Sequence, residues 1–585
     1  MEFKDLTKIF ASLEKTSKRL EMIDILSTFF RELKKSNKYD DFDKVIYLTQ
    51  GQLTSNIKQF PKIGLAEKMI IDALSTHSGL SYERIKEILL KKGDIGSAAE
   101  IIFKKKKQQQ TLFGEIKSLN ISDIYSELMK ISQASGKGSQ DIKLRSLRGL
   151  LGKCSPLEAK FLLRIITSTL RMGVSTMTII DALAEGLTDN KINRDEIERA
   201  FNIHPDLGEI AQMLITQGLD ALKKLKITYG VPIRMMLASR LDFSEIIDKL
   251  GLKFIAEQKL DGERLQIHKK NNEIKLFSRQ LLEITDRYPD VCEIIKSNIK
   301  ANVAIFEGEV VAMDPFYEKM LPFQVLSKRR RKYDIDKMAK EIPVTVFLFD
   351  LLMCEEEEYI NKPFLKRKKK LEEIIIKRDE LQIVVSKEIN NTDEMVEFFK
   401  KSRDNGCEGI MNKSIKENSV YQPGSRGFLW IKLKSLERGK MKDTVDVVII
   451  GGYWGRGRRK GVYGTLLGAV YNPKNNKFEA LTRIASGFTD EIMDNLLERM
   501  KEYEIGKKPA NIIATEEPDI WFEPKVVIEI IGDEITISEK FDAGKSSESK
   551  TGFSIRFPVF LRFRDDKSPS QITTTQEIKN LYYEQ

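Results

Sequence analysis

The pattern of apolar positions along the chain changes twice. Up to about residue 225 they recur at helical spacing, and Leu13, Leu20, Ile23, Leu26, Phe30 and Leu33 fall on one apolar face. Ser155-Pro156-Leu157-Glu158 is a capping box with proline at the first helical position. The helix it starts turns Phe161, Leu162 and Ile165 inward and is expected to end near Gly173. Arg164 and Arg171 then lie on one side of it, and their spacing reads as a solvated face. Ser135-Gly136-Lys137-Gly138-Ser139 reads as a flexible connection.

Near Tyr229-Gly230-Val231-Pro232 the pattern changes, and from there to about 438 β-type runs appear. Val303 to Val311, Val344 to Leu352 and Glu408 to Lys413 are the clearest strands, alternating with shorter helical runs. Lys253 to Glu257 alternates as another. Leu265, Ile267, Ile274 and Leu276 run out and back around an Asn271-Asn272 hairpin turn. Glu355 to Glu358 reads as a solvated acidic turn. From 439 the runs are short and glycine-rich: Val445 to Gly452, Gly464 to Tyr471, and Val526 to Ile531 paired through Gly532-Asp533 with Ile535 to Ile537. That predicts a small antiparallel barrel. The expected architecture is multidomain: all-α over 1–225, α+β over 226–438, and all-β over 439–585. A length of 585 residues, too great for one ordinary core, agrees with it.

Composition removes alternatives. Lys+Arg 98 against Asp+Glu 87 gives +11, a modest basic excess compatible with nucleic acid without requiring it. Cys154, Cys292, Cys354 and Cys407 are far apart, with no CxxC pair, so a zinc module or disulfide framework is not expected and a reducing, intracellular compartment is. There is no signal-peptide pattern and no apolar run of transmembrane length, so no membrane partner is expected. His77, His204 and His268 are the only histidines, which leaves few candidates for histidine acid/base chemistry.

Candidate chemistry centres on Gln258-Lys259-Leu260-Asp261-Gly262-Glu263-Arg264, between two strands. A lysine at a strand end becomes a nucleophile if nearby cations lower its pKa. The glycine permits close backbone approach, and the arginine offers forked donors to ribose or phosphate. A plain polar β-turn fits the heptapeptide alone equally well. A second candidate follows the Lys104 to Lys107 run: Gln109, Leu112 and Phe113 are either part of an exposed basic loop or a docking peptide that fills a partner's pocket.

Further motifs follow in order: Ser278-Arg279 with Thr285 and Tyr288-Pro289, Phe306-Glu307-Gly308-Glu309, Phe347-Leu348-Phe349-Asp350, Glu408-Gly409-Ile410-Met411, Trp430-Ile431-Lys432-Leu433-Lys434, then Arg556-Phe557-Pro558 and Arg564-Asp565-Asp566-Lys567. With the heptapeptide they resemble the ATP-dependent DNA ligases, within the covalent nucleotidyltransferase superfamily. Leu170-Arg171-Met172-Gly173-Val174, Leu321-Pro322-Phe323-Gln324 with the basic 328–332 run, and Gly451 to Gly457 are similar to the archaeal and eukaryotic replicative type. The resemblance covers nearly the whole chain. It implies a helical DNA-binding domain, an adenylation domain and an OB-fold that together seal 5′-phosphate/3′-hydroxyl nicks. Such a protein works in replication, repair and recombination, as a cytoplasmic, nucleoid-associated monomer. An RNA ligase or guanylyl-transferring enzyme lacks a reason for the large helical part, and a non-catalytic nick-binding scaffold lacks one for the lysine.

By the same resemblance, Lys259 attacks the α-phosphate of ATP and becomes a lysyl-adenylate. Lys432 and Lys434 share one strand face, neutralise phosphate charge and help depress the pKa of Lys259. Glu309 and Glu408 are expected to hold Mg²⁺ (or Mn²⁺) or the ribose. Phe349 stacks on adenine or belongs to the core, Glu257 accepts the adenine amino group, and Arg264 and Arg279 bind ribose and later the nick 5′-phosphate. Arg556 meets the leaving pyrophosphate. The family commonly has a further basic residue after Arg556-Phe557-Pro558; here Val559 stands there, with Arg562 and Arg564 nearby. Gln109, Leu112 and Phe113 become a sliding-clamp contact, and the main partner is nicked duplex DNA.

Overall fold

The computed structural model describes all residues except Gln59, Lys62, 106–118, Asp189, 331–334, 435–440, Lys442, 456–458, Lys460, 546–548 and Gln585. The docking-peptide residues Gln109, Leu112 and Phe113 therefore lie outside the described residues. The chain divides into two compact units, Met1–Ala73 with Gln108–Glu437 and Leu74–Lys107 with Arg438–Gln585.

The first part is helical, from α1 (Phe3–Glu14) and α2 (Arg19–Lys35) to a short helix at Leu219–Lys223. The apolar face from Leu13 to Leu33 is not continuous. α1 ends at Glu14, and the Thr16 hydroxyl accepts the Lys18 N–H at 3.1 Å and donates to Glu21 at 2.5 Å. This local turn resets the helical phase. Ile23, Leu26, Phe30 and Leu33 are buried on α2, but Leu20 is 76% exposed. The Ser155 capping box forms as read, and its helix spans Pro156–Ile166. It stops well before Gly173, because Thr167 Oγ1 bonds back to the Leu163 carbonyl and Ser168 and Arg171 adopt φ of 53°. Arg171 is thus off the helix. Arg164 is buried rather than solvated: its Nη1 donates to Glu14 at 2.8 Å, beside Lys160 at 2.6 Å on the other carboxylate oxygen.

Two sheets build the middle of the chain. In the first, β1 (Leu237–Arg240) lies beside Arg426–Leu433, then come Gly409–Ser414, β2 (Phe254–Lys259) and Ser386–Ile389. In the second, β3 (Glu263–Lys270) lies between β4 (Glu273–Ser278) and β5 (Val303–Ala312), and β6 (Val344–Cys354) follows β5. The β3–β4 turn is the Asn271-Asn272 pair, with Asn271 at φ 54° as a tight hairpin requires. Strand alternation sorts the side chains. Phe254, Ala256, Ile410 and Ile431 pack one face of the first sheet against Phe398 and Phe399 of the helix Thr392–Asp404. Leu265, Ile267, Phe306, Val346 and Leu348 form the core of the second. The intervening positions, Glu257 and Lys259 on β2, Arg264 on β3 and Glu309 on β5, are left for a cleft.

In the other unit, Val445–Trp454 and Tyr463–Asn472 form strands as expected, and a further strand, Lys477–Ile484, extends them into a meander. The expected hairpin at Gly532-Asp533 does not form. Val527–Ile531 pairs with Val445–Val448 and with Val559–Phe563, whereas Glu534–Ser538 pairs with Gly552–Arg556 in a separate two-stranded sheet. Gly532-Asp533 and Phe557-Pro558 are opposed corners in one long bent ribbon, held where the Asp533 N–H donates to the Arg556 carbonyl at 2.9 Å. A Cβ on Gly532 would sit 2.2 Å from Ile555, so close packing at the corner accounts for this glycine.

Candidate active site

Lys259 ends β2, directly beside Gly409 across the ladder, and the Glu408 N–H donates to the Lys259 carbonyl at 2.8 Å. That pairing brings Glu408 Oε2 to 2.5 Å from Lys259 Nζ and 2.9 Å from Lys434 Nζ. Burial pushes the Glu408 carboxyl up, but Lys259 and Lys434 outweigh it and hold the group down to about 2. Lys432 lines the cleft, while Lys434 lies just past the strand on Glu408. Burial, then Lys434, Lys259, Arg426 and Arg279, lowers the Lys432 amine below the ordinary lysine range. The mouth of the cleft is thus a concentration of cations around one lysine.

Two further carboxyls face it. Burial pushes Glu309 up to about 7, against the pull of Lys259 and Arg264 and with a further push from Glu408 and Asp261. Asp261 is raised by burial as well, although it accepts the Phe323 N–H at 3.1 Å. No ready-made cluster of three metal-binding side chains exists among the described residues.

The inner end of the cleft is apolar and aromatic. Phe349 comes from β6 and Met411 and Trp430 from the first sheet, with Leu260 and Val384 beside them. Phe349 and Trp430 meet edge to face at 6.1 Å, and the Arg264 guanidinium lies 5.4 and 5.5 Å from their rings. Arg264 is less free than the sequence suggested. Its Nη1 donates to the Met236 carbonyl at 2.9 Å and its Nη2 to Glu307 at 2.7 Å, which leaves only Nε without a protein partner. Glu257 is buried, with Oε2 2.7 Å from Lys413 Nζ and Oε1 3.3 Å from Lys368 Nζ.

The fold therefore brings Glu257, Lys259, Arg264, Arg279, Glu309, Phe349 and Lys432 to one cleft, with Glu408 on Lys259 and Lys434 on Glu408. Arg556 belongs to the other unit, where it is exposed and paired with Glu534 at 2.7 Å. Arg564 and Lys567 are both held on Asp446, at 2.9 and 2.6 Å, and Arg562 on Glu529 at 2.5 Å. The sequence reading missed Met411, Lys413 and Arg426 as cleft residues. Alternation from Lys432 through Trp430, and from Met411 to Lys413, carried that signal for two of the strands. Lys368, from the helix Phe364–Ile374, carried none.

A strand-end lysine ringed by cations, with acids beside it and an aromatic slot behind it, defines a nucleotidyltransferase-type enzyme. Residues 2–184 match the family described as DNA ligase N terminus, 235–434 the ATP dependent DNA ligase domain, and 459–567 the ATP dependent DNA ligase C terminal region. The chain is 44% identical to the DNA ligase of Sulfurisphaera tokodaii over 589 residues, covering 100% of this chain and 97% of that one. It is 44% identical to the DNA ligase of Sulfolobus acidocaldarius over 588 residues, covering 100% and 98%. Among solved structures, the one titled Pmar-Lig_PreS3 superposes with a TM-score of 0.56 at 20% identity, covering 96% of this chain and 99% of that one, a likeness of fold. The chain belongs to the ATP-dependent DNA ligases, and it is a ligase enzyme that uses ATP. No helix among the described residues is long and apolar enough to cross a membrane.

Proposed function

We propose that Lys259 is the nucleophile of the first of three successive nucleotidyl transfers. The observation that carries this reading is the position of Lys259 Nζ, 2.5 Å from Glu408 and among the cations Lys432, Lys434 and Arg279. The amine attacks the α-phosphorus of ATP, a P–N bond forms, the P–O bond to pyrophosphate breaks, and the amine's proton leaves to solvent. A 5′-phosphate oxygen of nicked duplex DNA then takes the adenylate from Lys259. The 3′-hydroxyl attacks that 5′-phosphorus, and AMP leaves. Glu408, held near 2, binds a proton too weakly to serve as the base, so it orients Lys259 instead. Lys432 and Lys434 stabilise the charge that develops on the phosphate.

Phe349 and Met411 hold the base, Glu257 meets its amino group, and Arg279 and the Nε of Arg264 face ribose and phosphate. Glu309 and Glu408 are the donors for Mg²⁺ or Mn²⁺: hard carboxylate oxygens suit such an ion, and a cation offsets the burial that raises Glu309 to about 7. Such an ion supplies electrostatic stabilisation of phosphate oxygens. Residues 1–225 bind duplex DNA, 226–438 carry adenylation, and 439–585 form the OB-fold, whose Arg556 acts on the departing pyrophosphate. Gln109, Leu112 and Phe113 dock a sliding clamp.

The test is covalent labelling. Lys259→Ala is expected to abolish the protein–nucleotide adduct from labelled ATP while nicked-DNA binding persists. Lys259→Arg fails too, since a guanidinium stays protonated. An adduct surviving in Lys259→Ala removes the assignment.

A further inference from the structure

Glu257 and Lys259 lie two residues apart on β2, so they share a face about 7 Å apart along the strand. The cations that suit phosphate gather at Lys259, and the aromatic slot lies behind, so a bound base is directed toward Glu257. Glu257 Oε2 is taken by Lys413 at 2.7 Å, but among the described residues Oε1 has only the long 3.3 Å approach of Lys368 and keeps room for a donor from a ligand.

Lys413 is an unusual neighbour. It is 1% exposed, donates also to the Phe349 carbonyl at 3.0 Å, and sits 4.5, 4.7 and 5.0 Å from the rings of Trp430, Phe364 and Phe349. Burial pulls its amine below the ordinary lysine range, against Glu257 and Asp350. An ammonium and a carboxylate this deep make physical sense only as a pair. Lys368 completes the arrangement by donating to Ser386 at 2.6 Å. The other charges around the pair are engaged elsewhere. Asp350 of β6 is bound by Arg367 at 2.6 and 3.0 Å, Arg264 of β3 by Glu307, and Lys259 of the same strand by Glu408.

We infer that Lys413 and Lys368 are positioning residues that hold Glu257 as an ionised, acceptor-only carboxylate, and that this charge state makes the slot accept a 6-aminopurine nucleotide and reject a 6-oxopurine one. An exocyclic amine donates to a carboxylate. A 6-oxo group brings a second acceptor against it, and a site with mismatched buried polar groups discriminates strongly. Removing Lys413 strands the Glu257 charge, and the carboxyl responds by taking up a proton. It then donates, and the preference moves toward the 6-oxopurine.

This inference rests on the nucleotidyl-transfer reading above, and one experiment separates the two. Adduct formation is measured over a range of ATP and ITP concentrations between pH 6 and 9, on the full chain and on Lys413→Met and Lys368→Met. Wild type is expected to prefer ATP with a ratio that is flat across this range. In Lys413→Met the KM for ATP rises and the ATP:ITP ratio falls by roughly tenfold or more near pH 6–7, recovering as pH rises. Lys368→Met shifts the ratio less, in the same sense, and decides the matter if Lys413→Met does not fold. Equal losses for ATP and ITP with no pH dependence make the lysines merely structural and overturn the inference, as does an unchanged ratio in both variants. Absence of any adduct in wild type overturns instead the reading on which it rests.

Discussion

At the scale of single residues, His268 is the clearest case of burial deciding chemistry. It is fully buried, its Nδ1 accepts the Gly230 N–H at 3.1 Å, and its Nε2 meets Gln266 at 3.0 Å. Gln266 in turn holds both the N–H and the carbonyl of Ile233, so one imidazole fastens the 230–233 segment to β3. Burial, then Lys275, pushes its pKa down to about 3, so it is a neutral structural histidine and not a catalyst. The sign follows from linkage. Between about 6.5 and 3 the unfolded chain takes a proton that the folded one refuses, so stability is full above 6.5 and falls as pH drops through that window. The whole term is at most roughly 5 kcal/mol. Hydrogen exchange of the Gly230 and Ile233 amides, corrected for intrinsic rates, is expected to lose protection from pH 7 to 4. In His268→Phe the loss should disappear. Constant protection in wild type across that range contradicts the account.

At the scale of elements, the site depends on two strand ends meeting. Gly409 has φ 150°, and a Cβ there would lie 2.1 Å from the Leu433 carbonyl oxygen and 3.0 Å from the Lys434 Cα. Gly409→Ala therefore pushes Lys434 away from Glu408, and Glu408 from Lys259. Adduct formation is expected to drop on the order of 100-fold, because a displacement near 1 Å in a catalytic set has about that effect. The circular dichroism spectrum should stay native, and a normal adduct rate would mean that the junction tolerates a side chain. The strands of this region were legible in the sequence because the runs rich in β-branched and aromatic residues at Val303–Ala312 and Val344–Cys354 are a local signal, as is the Asn271 turn. The Ser155 capping box was equally local. Misreadings arose where the deciding contact was distant or below the period. Thr16 reset the helical phase within four residues, Glu14 buried Arg164 from another helix, and Gly532-Asp533 carried a turn signal that its pairing with 552–563 turned into a corner. In the cleft, Lys259, Glu309 and Lys432 stood in recognisable motifs. Lys413 was open to the same alternation rule, and Lys368 owes its place to packing alone.

At the scale of the whole molecule, the proposed function divides the work among stretches of the chain whose charges are arranged differently. On the proposed reading the helical part takes no part in the chemistry at Lys259. Deleting residues 1–225 is expected to weaken duplex binding far more than adduct formation, and binding by the full chain, which carries +11, should fall steeply with salt. Adduct formation lost with the helices would contradict that division. The unit holding 438–585 presents a sharper case, because its cations are not equivalent. Lys567 and Arg564 both bind Asp446, which is 7% exposed, so removing either leaves a buried charge short of a partner and confounds any kinetic reading. Arg556 is 57% exposed along its side chain, and its partner Glu534 is 46% exposed, so its loss costs the fold little. It is the residue on which the unit's proposed part in catalysis can be tested cleanly. Pyrophosphate departure builds negative charge that a positioned cation stabilises most in the transition state, and once the adenylate has formed that charge is gone. Arg556→Ala is therefore expected to slow single-turnover formation of the lysyl-adenylate by roughly tenfold or more. Sealing of a nick that already carries 5′-AMP should keep its wild-type rate. Thermal unfolding of the variant, unchanged, separates this from a folding defect. If the two rates fall together, Arg556 serves DNA binding or structure, and the leaving group must be met by cations of the cleft itself, with Arg279 and Lys432 the first to examine.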